Sequence, residues 1–141
     1  MPGTDGGTRR TAWGLRVALA AVVAVSAVAH LQLWAQGMRD VAVVGPLFLL
    51  QGVAGLVTAV LAVTWRGPWA LLGGLGFGAT SLLAFTVATT PLGLFGVHSR
   101  WSGGPEWVSA VTEAAAVLLG LLALLAERRT ATAEAGTAPE R

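Results

Sequence analysis

Three side chains that hydrocarbon tolerates poorly, His30, Gln51 and Glu113, stand inside three different apolar stretches of this 141-residue chain. An imidazole, an amide or a carboxylate loses its water in lipid and needs a partner, so each marks a candidate site. His30 lies four residues before Trp34, roughly 6 Å along a helix, and Glu113 six residues past Trp107, roughly 9 Å. Gln51 falls ten residues into its own stretch, roughly 15 Å down, near the midplane. Three helices would thus each place one strong hydrogen-bonding group in the same half of the bilayer. Ser26, one turn before His30, lies on the same helical face. A His30–Glu113 couple could exchange a proton or grip a polar head in an outward-facing pocket. As a plain interhelical hydrogen bond it would instead hold the bundle in register, worth ~0.6–2 kcal/mol in lipid. Gln51 by itself reads as structural. Gln32 and the hydroxyls of Thr58, Thr80, Ser81, Thr86 and Ser109 complete the polar set, and Arg16 reads as a cation that snorkels to the nearby surface.

Other chemistry finds no support. The chain has no cysteine, which removes thiol catalysis, disulfides and thiolate-held metals. A haem between two histidines needs both inside the bundle, but His98 falls in a loop. A metal at His30, Glu113 and His98 would need that loop to fold inward. Gly74-Leu75-Gly76-Phe77-Gly78 superficially resembles a phosphate-binding loop, but it lies mid-membrane with no preceding strand. No catalytic residues, cofactor or metal site are therefore expected, and the protein reads as a non-enzyme.

The elements that must position these groups are four long apolar segments, about 11–34, 41–65, 69–90 and 107–126. Each reaches the ~20 residues that a helix needs to cross a ~30 Å hydrocarbon core. Of six tryptophans, Trp13, Trp34, Trp65, Trp69 and Trp107 fall at segment ends, where indole anchors at the headgroups, and Trp101 lies in the last loop. With 55% hydrophobic and 11% charged residues, little is left for a water-facing surface. The expectation is all-α: a polytopic membrane protein, one four-helix up-down transmembrane bundle over 11–126, with disordered tails at 1–10 and 127–141. Its binding surroundings would be the lipid bilayer of the plasma membrane. A nucleic-acid partner is not expected, because the nine arginines are scattered around apolar segments. Arg9, Arg10, Arg16, Arg66, Arg128, Arg129 and Arg141 would lie on one side and only Arg39 and Arg100 on the other, which places both termini in the cytoplasm.

Arg9-Arg10, the apolar run and Ala27-Val28-Ala29 also fit a cleaved signal peptide. Against cleavage, the run continues through Leu31, Leu33 and Trp34, too long for a signal and ended by an anchor. The connectors 35–40 and 65–69 are tight, and 91–106 forms the one long external loop, whose apolar first half would dip into the headgroups. Pro46 would kink the second helix. Ala70, Gly74 and Gly78, spaced by four, give the third helix a small-residue face for packing within the bundle or for a homodimer.

His30-Leu31-Gln32-Leu33-Trp34, Gly45-Pro46-Leu47-Phe48-Leu49-Leu50-Gln51, Gly93-Leu94-Phe95-Gly96 and Glu113 together resemble a group of small four-helix membrane proteins of high-GC actinobacteria. The resemblance covers most of residues 12–126 and implies the fold but no activity. A likeness to DoxX-like four-helix proteins is more distant and architectural. Taken together, the sequence reads first as an accessory or scaffold subunit of a membrane assembly, with a membrane-protein partner or as a homo-oligomer. The alternative is proton-linked binding or transport of a small molecule through the His30, Gln51 and Glu113 pocket. A more remote one is a redox subunit binding quinone or haem.

Overall fold

The structure, a computed structural model, describes residues 5–100 and 103–136. These residues form four α-helices and no strand: α1 (Asp5–Ala35), α2 (Val44–Thr64), α3 (Pro68–Ala88) and α4 (Gly104–Gly136). A single 3-10 turn, Met38–Asp40, lies between α1 and α2. Each helix contains a continuous stretch long and apolar enough to cross a membrane, at Trp13–Ala35, Val44–Thr64, Pro68–Ala88 and Glu106–Arg129. The shortest, 21 residues, spans roughly 32 Å at 1.5 Å per residue. The protein is an all-α, four-helix transmembrane bundle.

Local sequence explains the helix limits. Gly37, at φ 146°, turns the chain out of α1 in a conformation that side chains disfavour. Pro68 opens α3, where its missing N–H and fixed φ suit a first turn. Pro46 is likewise only the third residue of α2. The expected kink is therefore replaced by a helix start, because a first-turn proline forfeits no i→i−4 bond. The outer helices run past their apolar spans: α1 begins at Asp5 rather than near residue 11, and α4 continues to Gly136 rather than stopping near 126. Most of both expected disordered tails is thus helical. Once a helix is nucleated each further residue adds a hydrogen bond, and the Ala, Glu and Arg after residue 126 favour that state. The rest of those tails, 1–4 and 137–141, and the loop residues Trp101 and Ser102, lie outside the described residues.

Around the bundle, α1 packs on α2 and α4, and α4 packs on α3, while α2 and α3 share a much smaller seam. Leu19, Val23, Leu71, Phe77, Ala116 and Ala123 form the core. Small residues set the helix separations. A Cβ at Gly74 would stand 2.9 Å from the Leu19 side chain of α1, and one at Gly78 would stand 2.5 Å from the Glu113 carbonyl of α4. The glycine face is thereby used inside one chain. Trp13, Trp65, Trp69 and Trp107 are exposed near the ends of the apolar spans, and Trp34 is half-buried.

Candidate functional site

Ser26 and His30 lie one turn apart on the buried face of α1, and Ser109 and Glu113 one turn apart on the facing side of α4. The tight α1–α4 packing brings the two pairs together. Glu113 is 2% exposed. Its Oε1 accepts hydrogen bonds from Ser109 Oγ at 2.7 Å and Ser26 Oγ at 3.3 Å, and lies 3.7 Å from His30 Nε2. The other imidazole nitrogen, Nδ1, is 2.8 Å from the Ser26 carbonyl. A carbonyl only accepts, so Nδ1 carries a hydrogen and Nε2 is the nitrogen turned toward the carboxyl. Phe48 and Phe77 confine the ring, with centroids at 5.3 and 6.1 Å. One proton placed between Nε2 and Oε1 makes the pair neutral overall, wherever it sits.

Gln51 does not join this pair. Its amide donates to the Phe77 carbonyl at 3.2 Å and to Ser81 Oγ, which ties α2 to α3 across their thin seam. His98 also stays apart: Nε2 donates to the Pro91 carbonyl at 3.2 Å, within the loop. Gln32 faces outward. Among the described residues, no three His, Asp or Glu side chains group closely enough to hold a metal ion.

What His30, Gln51 and Glu113 share is a cavity of about 290 Å³ lined by all four helices, near the lower end of ligand-site volumes. Its floor is polar (His30, Gln51, Ser81, Ser109, Glu113) and its walls are largely apolar, with Phe48, Ala84 and Phe85 among them. Leu94 and Val97 roof it. Those two residues exchange backbone hydrogen bonds of 2.8 and 2.9 Å around Phe95-Gly96, both at positive φ, which is a two-residue turn of the I′ kind. Ser99 N bonds the Ala88 carbonyl at 3.0 Å and pins the loop to the end of α3. Leu47, Leu50 and Thr80 line the cavity yet are exposed on the bundle's outside, Leu50 by 63%. The cavity therefore opens sideways, between α2 and α3, toward the surface that lipid covers.

Glu106 also lines this cavity, from the third residue of α4. Its Oε2 is buried and has no hydrogen-bond partner. Sequence reasoning placed Glu106 in the loop and missed it. The available signal was the seven-residue spacing of Glu106 and Glu113, which puts both on one helix face two turns apart.

A second polar cluster lies at the opposite end. Arg16 is 4% exposed and does not snorkel. Its guanidinium holds Glu127 of α4 through Nε at 2.6 Å and Nη2 at 2.9 Å. It also donates to the carbonyls of Ala62, Trp65, Arg66 and Gly67 at 2.8–3.2 Å. The last carbonyls of α2 and the α2–α3 turn lack helical partners, and a five-donor fork is suited to satisfy several at once. The spacing of Arg16 within its own segment gives no sign of this; the partners come from residues 46 to 111 positions away.

Fold and site together define a membrane-spanning four-helix bundle with a laterally open, acid-floored cavity. No protein-family model, no curated protein and no solved structure matches the chain.

Proposed function

We propose that this protein is a non-enzymatic binding protein of the plasma membrane, taking a small amphiphile from the bilayer into the α2–α3 cavity. The supporting observation is that the polar side chains of four helices converge on one cavity whose mouth faces lipid. An apolar body fits the Phe48, Ala84 and Phe85 walls, and a polar head fits the hydrogen-bonding floor. This geometry favours binding over the accessory-subunit reading, in which buried polar groups would serve packing alone. Both termini are cytoplasmic in this proposal, by the seven-to-two arginine count, so the loop and cavity belong to the outer leaflet.

Native mass spectrometry of protein extracted gently from its host membrane tests the reading. The expected result is a reproducible small-molecule adduct that Ala84→Trp, which fills the cavity, removes without unfolding the bundle. Bare protein would count against binding. An added protein mass that survives Ala84→Trp would return the assignment to an accessory subunit.

A further inference from the structure

Resting on that binding reading, we infer that the amphiphile is neutral and headed by a hydroxyl, which seats between His30 Nε2 and the Glu113 carboxyl. The gap between those two groups carries this. Nε2 lies 3.7 Å from Glu113 Oε1, beyond hydrogen-bond range, and makes no hydrogen bond to any described residue. His30 is only 8% exposed, and both it and Glu113 line the cavity. Ser26 and Ser109 fix the carboxyl through Oε1, but neither hydroxyl bonds Nε2. A buried polar nitrogen without a partner is costly, and a polar gap wider than ~3.5 Å is the place for a bridging oxygen. An oxygen about 2.8 Å from both atoms would sit about 2 Å off the line joining them, so one atom reaches both.

The protons select the kind of oxygen. Nδ1 holds its hydrogen on the Ser26 carbonyl. With one further proton, Nε2 and the carboxyl together present one donor and one acceptor, whichever of them carries it. A hydroxyl is the complement, because it donates once and also accepts. An ether or ketone oxygen only accepts, and an ammonium only donates, so each leaves half of the pair unserved. A charged head of either sign also meets a pair that is neutral overall. No arginine is among the described residues lining the cavity, and the chain has no lysine, so an anion finds no counter-charge. Glu106 offers none to a cation at this seat. Its carboxylate folds back on Gly103 in the first turn of α4, seven residues and roughly 10 Å of helix from Glu113. The free N–H groups of a helix start favour an acid there. The volume limits the body: 290 Å³ equals about ten water-sized groups at ~30 Å³ each, so an alcohol of about eight carbons is the right scale.

The test is equilibrium binding of labelled octanol to the full chain in phosphatidylcholine nanodiscs, with protein-free nanodiscs as the partition control. Heptyl methyl ether, which has the shape of octanol but no donor, octylamine and octanoate serve as competitors. Saturable octanol binding is expected, with all three competitors weaker by about fivefold or more, as an unmade buried hydrogen bond implies. His30→Phe, which removes Nε2, should bring alcohol and ether to within about twofold of each other. Should circular dichroism show that this variant does not fold, the wild-type ranking decides alone. Ether equal to alcohol, as a gap kept by water would give, overturns the hydroxyl assignment and leaves the cavity reading standing. So does tighter binding of the amine or the carboxylate, or an alcohol preference that folded His30→Phe retains. No saturable binding of any of the four, or binding unaffected by Ala84→Trp, would sink the cavity reading and this inference with it.

Discussion

At the residue scale, the same physical demand produces two different polar centres. Glu113 and Arg16 are each almost fully buried, and each must find partners because no water is at hand. Arg16 is satisfied completely by one carboxylate and four carbonyls, so it reads as a fastener. Glu113 is satisfied on one oxygen only and borders a cavity, so it reads as a site. The fastener has a measurable worth. Arg16→Ala takes the guanidinium away from Glu127 and from the four carbonyls it serves, and should cost about 3 kcal/mol, the low end of the range for breaking a buried ion pair. Arg16→Lys should recover only part of this, since a point-charge ammonium cannot serve the carboxylate and the carbonyls as a fork does. Denaturant unfolding of the detergent-solubilised protein reads both; equal stability of Arg16→Ala and wild type would refute the role.

At the scale of the elements, helix separation decides whether the site exists. The α3–α4 contact at Gly78 is so close that a methyl group there would stand 2.5 Å from the Glu113 carbonyl. Backbone cannot yield as a flexible side chain can, so Gly78→Ala must push α3 from α4. A destabilisation of about 1–3 kcal/mol is expected, typical of overpacking, with loss of the Glu113 geometry. Gly76 lies on the same helix with nothing within 4 Å of its added methyl group. Gly76→Ala should therefore be neutral or slightly stabilising, by up to about 1 kcal/mol, through helix propensity. Thermal unfolding of the two variants side by side checks the contrast. Similar behaviour of the two would mean that the close approach at Gly78 does not matter. The thin α2–α3 seam is the counterpart of these tight ones: held near its middle by Gln51 to Ser81 and Phe77, it opens beside that clasp as the cavity mouth.

At the scale of the whole molecule, the bundle is polarised end to end. The Arg16 knot closes the end that carries the α2–α3 turn, and the cavity and its loop occupy the other. The proposed orientation assigns the knot to the cytoplasmic side. Because the chain has no cysteine, single substitutions report sidedness without background. Arg39→Cys and Arg100→Cys should react with a membrane-impermeant maleimide in intact cells, and Arg66→Cys only after permeabilisation. The reverse pattern would invert the topology and place the cavity in the inner leaflet.

Four spans, their approximate limits and the all-helical class were legible in the residues themselves, because length and apolarity suffice to require a helix in lipid and tryptophan marks where the lipid ends. The intramembrane polar residues were legible as exceptions for the same reason. His30 and Glu113 could even be paired by depth, since 1.5 Å per residue converts a position into a height. Rotation about each helix axis could not be read this way. Four nearly uniform apolar stretches carry no stripe that says which face turns inward, so only the packed bundle decides that Gln51 meets Ser81 rather than His30. The same packing decides that Arg16 turns inward to Glu127 and that Glu106, at the start of α4, shares a cavity with Glu113. Depth is a property of one helix in a bilayer; facing is a property of helices in contact, and the site depends on facing.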